Sequence, residues 1–385
     1  MSTAHKDISL SIPILGEEEK AALCEVIDSG WVSMGPKVQA FEAAFAARHG
    51  RESAVAVNSC TAALHLILRA FDIGPGDEVL VPSVTFVATV NAVLYVGATP
   101  VFIDIESLER PHISLAEAEA KCSPRTKAVI VMHYGGYAVE TRPWREFCDA
   151  RRIRLIEDAA HAPGIPGVAK LSDAAAFSFF SNKNMSTAEG GMVLSPDAEA
   201  LAAIRRLRGH GMTSDTLVRH RGHAYSYDVT MLGYNYRIDE LRAAVGLVQL
   251  GHLPEWNEKR RALTRVYRRK LAGAAPSIVV PFDEGQPTAA HLMPVLLPAD
   301  RPRQKVMDSL RAAGIQSSIH YPPVHLFSYY RKLYPEIALP KSEEFCRREL
   351  SLPLHPALEE TDVERVVNCL GTALGEEAPS LSETD

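Results

Sequence analysis

The chain has 385 residues, 46% of them hydrophobic and 23% charged, which is enough material for a large core and about two domains. Its net charge of -6 gives no electrostatic basis for nucleic-acid binding. No apolar run approaches membrane-spanning length, the start MSTAHKDISL has no signal-peptide core, and the six cysteines (Cys24, Cys60, Cys122, Cys148, Cys346, Cys369) lack metal-ligand spacing. The expectation is a cytoplasmic protein with reduced thiols, no metal and no membrane or nucleic-acid partner.

Residues 17–29 carry Ala22, Val26 and Ile27 at helical spacing and run up to Gly30, which predicts a helix. Gly30, Gly35 and Pro36 make a loop, and a second helix starts near Lys37. The run 54–57 (AVAV) predicts a short buried strand. It passes through Asn58, Ser59, Cys60 and Thr61 into the helical pattern AALHLILRAF. A strand that feeds a helix through small polar residues leaves free backbone N–H groups at the helix start, an anion site suited to phosphate. Many α/β proteins have such a junction without a ligand, so it decides nothing alone.

Alternation continues. Strands are predicted at 78–82, 100–105, 128–133 and 154–156, with helices at 85–96, 115–121 and 144–151 between them. Such alternation argues for a mostly parallel sheet covered on both faces. Ligands of such sheets sit beyond the carboxyl ends of the strands. Residues 58–61, 83–86 and 158–161 all fall at such ends.

So does Lys183. The apolar run 174–180 ends in a polar turn carrying Lys183, and the pair Gly190-Gly191 opens a second apolar run. A lysine where a buried strand opens into a loop is desolvated on one side and reachable on the other. Desolvation disfavours the ammonium, and a neutral amine can attack a carbonyl to form a Schiff base. On this stretch alone, one surface lysine among many is an equally good description.

A helix over 198–207 follows, then the Arg- and His-rich loop RGHGMTSDTLVRHRGHAYSYD. GYNYRIDELRAAVGLVQL reads as a loop passing into an amphipathic helix, and 253–271 as a long charged helix. From about Ala274 short strands and helices alternate (IVVPF, HLMPVLLP, KVMDSLRAAG, DVERVVNCLGTAL), which predicts a smaller domain. The expected division is a large domain over 1–250, a small one over 251–373 and a disordered polar tail over 374–385.

An acid at a strand end, a lysine in a loop and a phosphate site on one sheet edge suggest pyridoxal phosphate. That cofactor needs an amine for its aldehyde, an anion site for its phosphate and a carboxylate for its ring nitrogen. With SGWVSMGPKVQAFE, SVTFVAT, EDAAH, SNKNMSTAEGGMV, GYNYR, IHYPPVHL and SLPLHPAL in this order, the chain resembles the DegT/DnrJ/EryC1/StrS aminotransferases. The resemblance covers nearly the whole chain. It implies the fold type I of pyridoxal-phosphate transferases, like that of aspartate aminotransferase: a mostly parallel sheet flanked by helices plus a smaller α/β C-terminal domain.

Residue by residue, Lys183 matches the internal-aldimine lysine and proton shuttle. Asp158 matches the partner of the pyridine nitrogen, and His161 a residue near the phenolic oxygen. Phe86 matches the aromatic stacked on the ring. Cys60, Thr61 and Ser178 match the phosphate site, and Asn235 matches an asparagine that reaches the phosphate from a neighbouring subunit, so a homodimer with shared sites is implied. Cys60 stands where the family often has glycine, and 162–172 is short for the loop between the aspartate and the lysine. Without that register, Phe86 would read as core, Ser178 as a strand serine, Asn235 as a turn residue and Asp158 as the partner of a structural base.

The implied reaction moves an amino group from L-glutamate or L-glutamine to a keto-sugar, often nucleotide-linked in the family, through the pyridoxamine form. Arg219, His220 and Arg221 are candidates for a carboxylate or phosphate. His320, Tyr321 and His325 are candidates on the acceptor side. The alternatives are a sugar dehydratase on the same scaffold, whose members replace the lysine, typically with histidine, a keto-cyclitol aminotransferase, and a cofactor-binding regulator without turnover. The sugar, the carbon aminated, the stereochemistry, the donor and the choice of dimer or tetramer stay open at this level.

Overall fold

The computed structural model describes residues 7–213 and 227–376. Short apolar runs form a seven-stranded sheet: β1 (Ala54–Val57), β2 (Glu78–Pro82), β3 (Thr99–Ile103), β4 (Thr126–Met132), β5 (Arg154–Asp158), β6 (Ala174–Ser178) and β7 (Gly191–Leu194). The spatial order is β1-β7-β6-β5-β4-β2-β3. All neighbours are parallel except the two pairs made by β7, with β1 and with β6. Every residue of β1, β2, β6 and β7 is buried, as strands covered on both faces require.

Helices flank the strands: α1 (Glu17–Ser29) and α2 (Pro36–Arg48) precede β1, α3 (Cys60–Ala70), α4 (Ala88–Tyr95), α5 (Leu115–Lys121) and α6 (Thr141–Arg151) lie between successive strands, and α7 (Ala198–Leu207) follows β7. Alternate strand residues enter opposite cores, as the two-residue period of a strand demands. Val55, Val57, Ala174 and Ala176 pack with Leu66, Val90 and Ile204 of α3, α4 and α7. Ala54, Ala56, Ala175 and Phe177 pack with Phe41 and Phe45 of α2. This is the expected α/β architecture, with a mostly parallel sheet between helical layers.

The two helical patterns seen after GYNYR are one helix, α8 (Glu240–Ala274), which continues through Pro254. Its first half gives Ala243, Leu250 and Leu253 to the core beneath the sheet. Its second half gives Leu263, Val266, Tyr267 and Leu271 to a second core. That core also holds β8 (Met293–Leu296) and β9 (Glu349–Leu352), an antiparallel pair, with α9 (Arg303–Ala312) and α12 (Glu360–Leu374) packed on them. Between these lie α10 (Ser328–Leu333) and α11 (Pro340–Arg348).

Four sequence expectations change here. A division at residue 250 falls inside α8, because the amphipathic stripe of one helix serves both cores. Ile8, near the start of the chain, packs in the second core and its backbone bonds to Gly314 and Gln316. IVVPF makes only a single bridge, Val279 to Leu296, rather than a strand. Leu374, placed in the polar tail, is the buried last residue of α12, capped by Gly375 in a left-handed conformation. The rest of the expected tail, from 377, lies outside the described residues.

Candidate active site

The carboxyl ends of β1, β2, β5 and β6 share one edge of the sheet, and the turns leaving them build the site. β1 turns through Ser59, whose hydroxyl accepts the Ala62 amide at 3.1 Å and caps α3. The first turn of α3 leaves the amides of Cys60 and Thr61 without intrahelical acceptors. Cys60 is buried and Thr61 half-buried. The glycine pair noticed in the sequence has a steric reason at this point. A Cβ on Gly191 would lie 2.5 Å from the Ser59 carbonyl and 2.7 Å from the Cys60 nitrogen. Glycine is what lets β7 pass beneath the start of α3.

Asp158 ends β5 and is 3% exposed. Its Oδ2 accepts a 2.6 Å hydrogen bond from Thr89 Oγ1, and its Oδ1 accepts the Ala160 amide at 3.1 Å. Thr89 donates its only hydroxyl proton to the carboxylate. The 2.7 Å contact between Thr85 and Thr89 therefore runs from Thr85 to Thr89. Burial raises the Asp158 pKa, while Thr89, the Ala160 amide, Lys183 and His133 pull it down. A cation placed against this carboxylate would hold it ionised.

Lys183 lies in the connection between β6 and β7, its amide bonded to the Phe180 carbonyl. The side chain is half-buried. Burial lowers its pKa to about 8, against Asp158 and Cys60, which raise it. Its Nζ stands 3.4 Å from His291 Nε2. The His291 ring lies 4.2 Å from that of His161, and His161 Nε2 meets the Tyr321 hydroxyl at 3.1 Å. His161 is 1% exposed, and its Nδ1 has no hydrogen-bond partner. Burial pushes both imidazoles well below the usual histidine range, helped by the Lys183 charge.

The other sequence candidates fall in different places. Phe86 is 54% exposed, its ring 5.7 Å from that of Tyr321. Ser178 closes β6 opposite Gly191 and accepts the Phe180 amide at 3.4 Å. Asn235 is exposed, in a segment that Tyr236 ties to Asn58 by a 2.9 Å backbone bond. His320 bonds Ser351 through Nδ1 at 2.8 Å, and burial lowers its pKa to about 4, with a further push from Lys183. His325 has another employment. It sits between Ser83 Oγ at 2.7 Å and Glu343 at 3.1 Å, with its ring against Phe102. Arg219, His220 and Arg221 lie outside the described residues.

Sequence reasoning passed over His291, Thr89 and Asn184. Thr85 and Thr89 stand one helical turn apart in SVTFVAT, a spacing that puts both hydroxyls on one face. His291 opens an apolar run 108 residues from Lys183, and nothing local links the two.

These groups fit pyridoxal phosphate on their own chemistry. The start of α3 offers amides for a phosphate, Asp158 a carboxylate for a ring nitrogen, Lys183 an amine, and His161 an unpartnered buried nitrogen. A family model described as the DegT/DnrJ/EryC1/StrS aminotransferase family matches residues 13–371. The chain belongs to that family. It is a pyridoxal-phosphate-dependent aminotransferase.

Solved structures agree in fold over nearly the full length. PseC of Helicobacter pylori, an aminotransferase involved in the biosynthesis of pseudoaminic acid, is 29% identical with a TM-score of 0.90, over 96% of this chain and 100% of that one. DesV of S. venezuelae is 36% identical with a TM-score of 0.85, over 94% and 98%. Spr1654 of Streptococcus pneumoniae, solved in PLP and PMP forms, is 27% identical in its PLP form with a TM-score of 0.86, over 96% and 98%. Among the described residues of the present chain, no helix is long and apolar enough to cross a membrane.

Proposed function

We propose that this aminotransferase moves the amino group of L-glutamate or L-glutamine onto a keto-sugar carried by a nucleotide. The observation that carries the reading is the Lys183 amine, its pKa lowered to about 8 by burial against the charge of Asp158, with Nζ 3.4 Å from His291 Nε2. A dehydratase of this scaffold would dispense with that amine. PseC acts in pseudoaminic acid biosynthesis, and Spr1654 is provisionally described as a sugar aminotransferase, which supports a sugar acceptor.

The bound cofactor supplies an electron sink for negative charge at the carbon that loses its proton. The chain does the rest. Lys183 Nζ takes the α-proton of the donor, and in the return half delivers a proton to the carbon of the acceptor that becomes amine-bearing. A base near neutrality serves both directions. Asp158, held by Thr89 and the Ala160 amide, would supply the negative charge that keeps the ring nitrogen of the cofactor protonated. The amides of Cys60 and Thr61, with Ser178, would hold the phosphate. Phe86 would pack against the cofactor ring, and His320 and Tyr321 would serve the acceptor.

Asn235, which is exposed, would reach the phosphate of a second copy, which makes a homodimer with shared sites the working unit of this reading. The six cysteines are all free, in keeping with a reducing, cytoplasmic location.

The test is the absorbance of the cofactor-loaded protein before and after L-glutamate or L-glutamine, beside Lys183→Ala. Conversion to the pyridoxamine form in the wild type and its loss in the variant is expected, followed by amination of a keto-sugar nucleotide detected by mass. If no amino acid shifts the spectrum, transamination is excluded. If only sugars without a nucleotide, or cyclitols, are aminated, the acceptor class is wrong.

A further inference from the structure

The hydrogen bonds around His291 can be assigned without choice. One end of the Asn184 amide lies 2.7 Å from the Ala289 carbonyl and 2.7 Å from Asn257 Oδ1. A carbonyl oxygen only accepts, so that end is the NH2. Asn257 is fixed in the same way, since its Nδ2 donates to the Pro163 carbonyl at 2.9 Å. Asn184 therefore turns its oxygen to His291 Nδ1, at 2.9 Å, and Nδ1 must carry the proton.

The other nitrogen is left with a lone pair, and it is the one 3.4 Å from Lys183 Nζ. The ring is 4% exposed. Its backbone carbonyl is held by the buried guanidinium of Arg260, whose Nη1 also donates to the Leu354 carbonyl at 2.8 Å. Burial disfavours the imidazolium, and the charges of Lys183 and Arg260 add to that. His291 is a neutral acceptor with one tautomer.

We infer that His291 is a positioning residue for the reaction: its Nε2 lone pair, locked in place by Asn184 and Asn257, accepts a proton of the Lys183 amine in a hydrogen bond and so sets the direction in which that amine points. This rests on Lys183 being the acting amine. A lysine on a four-carbon stem is otherwise free to rotate, and one fixed acceptor removes that freedom when the amine is unattached. The groups that face Lys183 are Asp158 from β5, Cys60 from α3, and His161, His320 and His291, with Arg260 behind the last. Of these, His291 has the direct hydrogen-bond contact with Nζ.

The experiment reads the amine itself rather than turnover. The full-length chain, stripped of cofactor, is labelled at Lys183 with an amine-acylating reagent across pH, with the modified peptide quantified by mass. His291→Phe removes the acceptor and keeps a ring. An acceptor stabilises the ammonium form, so its loss lowers the Lys183 pKa from about 8 and raises the neutral fraction at pH 7 by about fivefold for a drop of about one unit. An unchanged pKa in a folded variant would make His291 mere packing, and a raised pKa would make it a cation. Either result overturns the inference.

If His291→Phe does not fold, the 15N spectrum of histidine-labelled wild type decides. A neutral ring protonated on Nδ1 is expected near neutral pH, and the opposite tautomer or an imidazolium overturns the assignment. Absence of any cofactor-dependent spectrum would instead count against Lys183 as the acting amine, whatever its pKa.

Discussion

The edge of the seven-stranded sheet and the stretch from α8 to β9 both reach Lys183, by different means. On the sheet edge each group sits where a buried strand stops: Asp158 at the end of β5, Ser178 at the end of β6, Cys60 just past β1. The α8-to-β9 stretch supplies His291, His320 and Tyr321, held by Asn184, Ser351, Tyr134 and Glu349 across large sequence separations. The first region makes a fixed cradle from local geometry. The second reaches Lys183 only because a separate core docks beside it. Substitutions in the two should therefore fail differently: the first through cofactor binding and its electronics, the second through coupling of stability to pH and to the acceptor side.

Gly191→Ala tests the cradle most severely. The added carbon meets Ser59 backbone at 2.5 Å, and backbone does not yield as a side chain does. Overpacking costs roughly 1–3 kcal/mol, and an obstacle of backbone belongs at the top of that range. The expected result is a lower Tm together with a large loss of cofactor affinity, read by calorimetry and titration. Gly251→Ala in α8 is the control. Nothing lies within 4 Å of its added carbon, and removing a helical glycine should stabilise by about 0.5–1 kcal/mol. Unchanged cofactor affinity in Gly191→Ala would remove the start of α3 from the phosphate site.

This contrast also explains what the amino-acid sequence disclosed. An apolar run followed by small polar residues marks a strand end wherever it occurs, so the sheet and its parallel character could be picked out locally and Lys183, Asp158 and Cys60 placed at strand ends, while their roles came only from the order of the motifs along the chain. α8 could not be read as one piece, because Gly251 and Pro254 interrupt a pattern that tertiary packing on two cores restores. His291 was invisible for a different reason. Its partner is 108 residues away, and its tautomer depends on two asparagines and two backbone carbonyls that only the fold brings together. His325 shows the converse, a histidine in a suggestive motif whose bonds to Ser83 and Glu343 pin the chain after Tyr321 to the end of β2.

Glu349 is the place to perturb the second region. It is fully buried on β9, accepts the His320 amide at 2.8 Å and Ser351 Oγ at 2.6 Å, and lies near Tyr134, Tyr321, Arg303 and Cys346. Burial raises its pKa from 4.5 to about 7, against the lowering by Ser351, the His320 amide, Arg303 and Tyr134. A raised carboxyl pKa means the folded state holds its proton longer than the unfolded one. Its stabilisation is fully present below 4.5, falls as pH rises, and is gone above about 7. The loss across that window is on the order of 3 kcal/mol. Glu349→Gln should flatten this part of the stability–pH curve while leaving cofactor affinity nearly unchanged. A slope that survives the substitution would assign the titration to another group.

Thr89→Val asks for the smallest effect and the finest distinction, because it alters the cradle without crowding it. The methyl replaces a hydroxyl of the same shape and takes away the 2.6 Å bond to Asp158 Oδ2, leaving the Ala160 amide on Oδ1. A hydrogen bond to an ionised group contributes about 1.5–3 kcal/mol, but the carboxylate here keeps its second donor and the Lys183 charge. The expected loss is therefore about tenfold in the rate of the donor half-reaction. Its sign in pH follows from the same bond: a donor to the carboxylate favours the charged form, so its removal raises the Asp158 pKa and moves the acidic limb of the rate profile upward. Thr89→Ser should restore both. If Thr89→Val lowers the rate equally at every pH and Thr89→Ser does not rescue it, then the threonine matters for packing α4 against the sheet, and the chain from Thr85 through Thr89 to Asp158 has no electronic role.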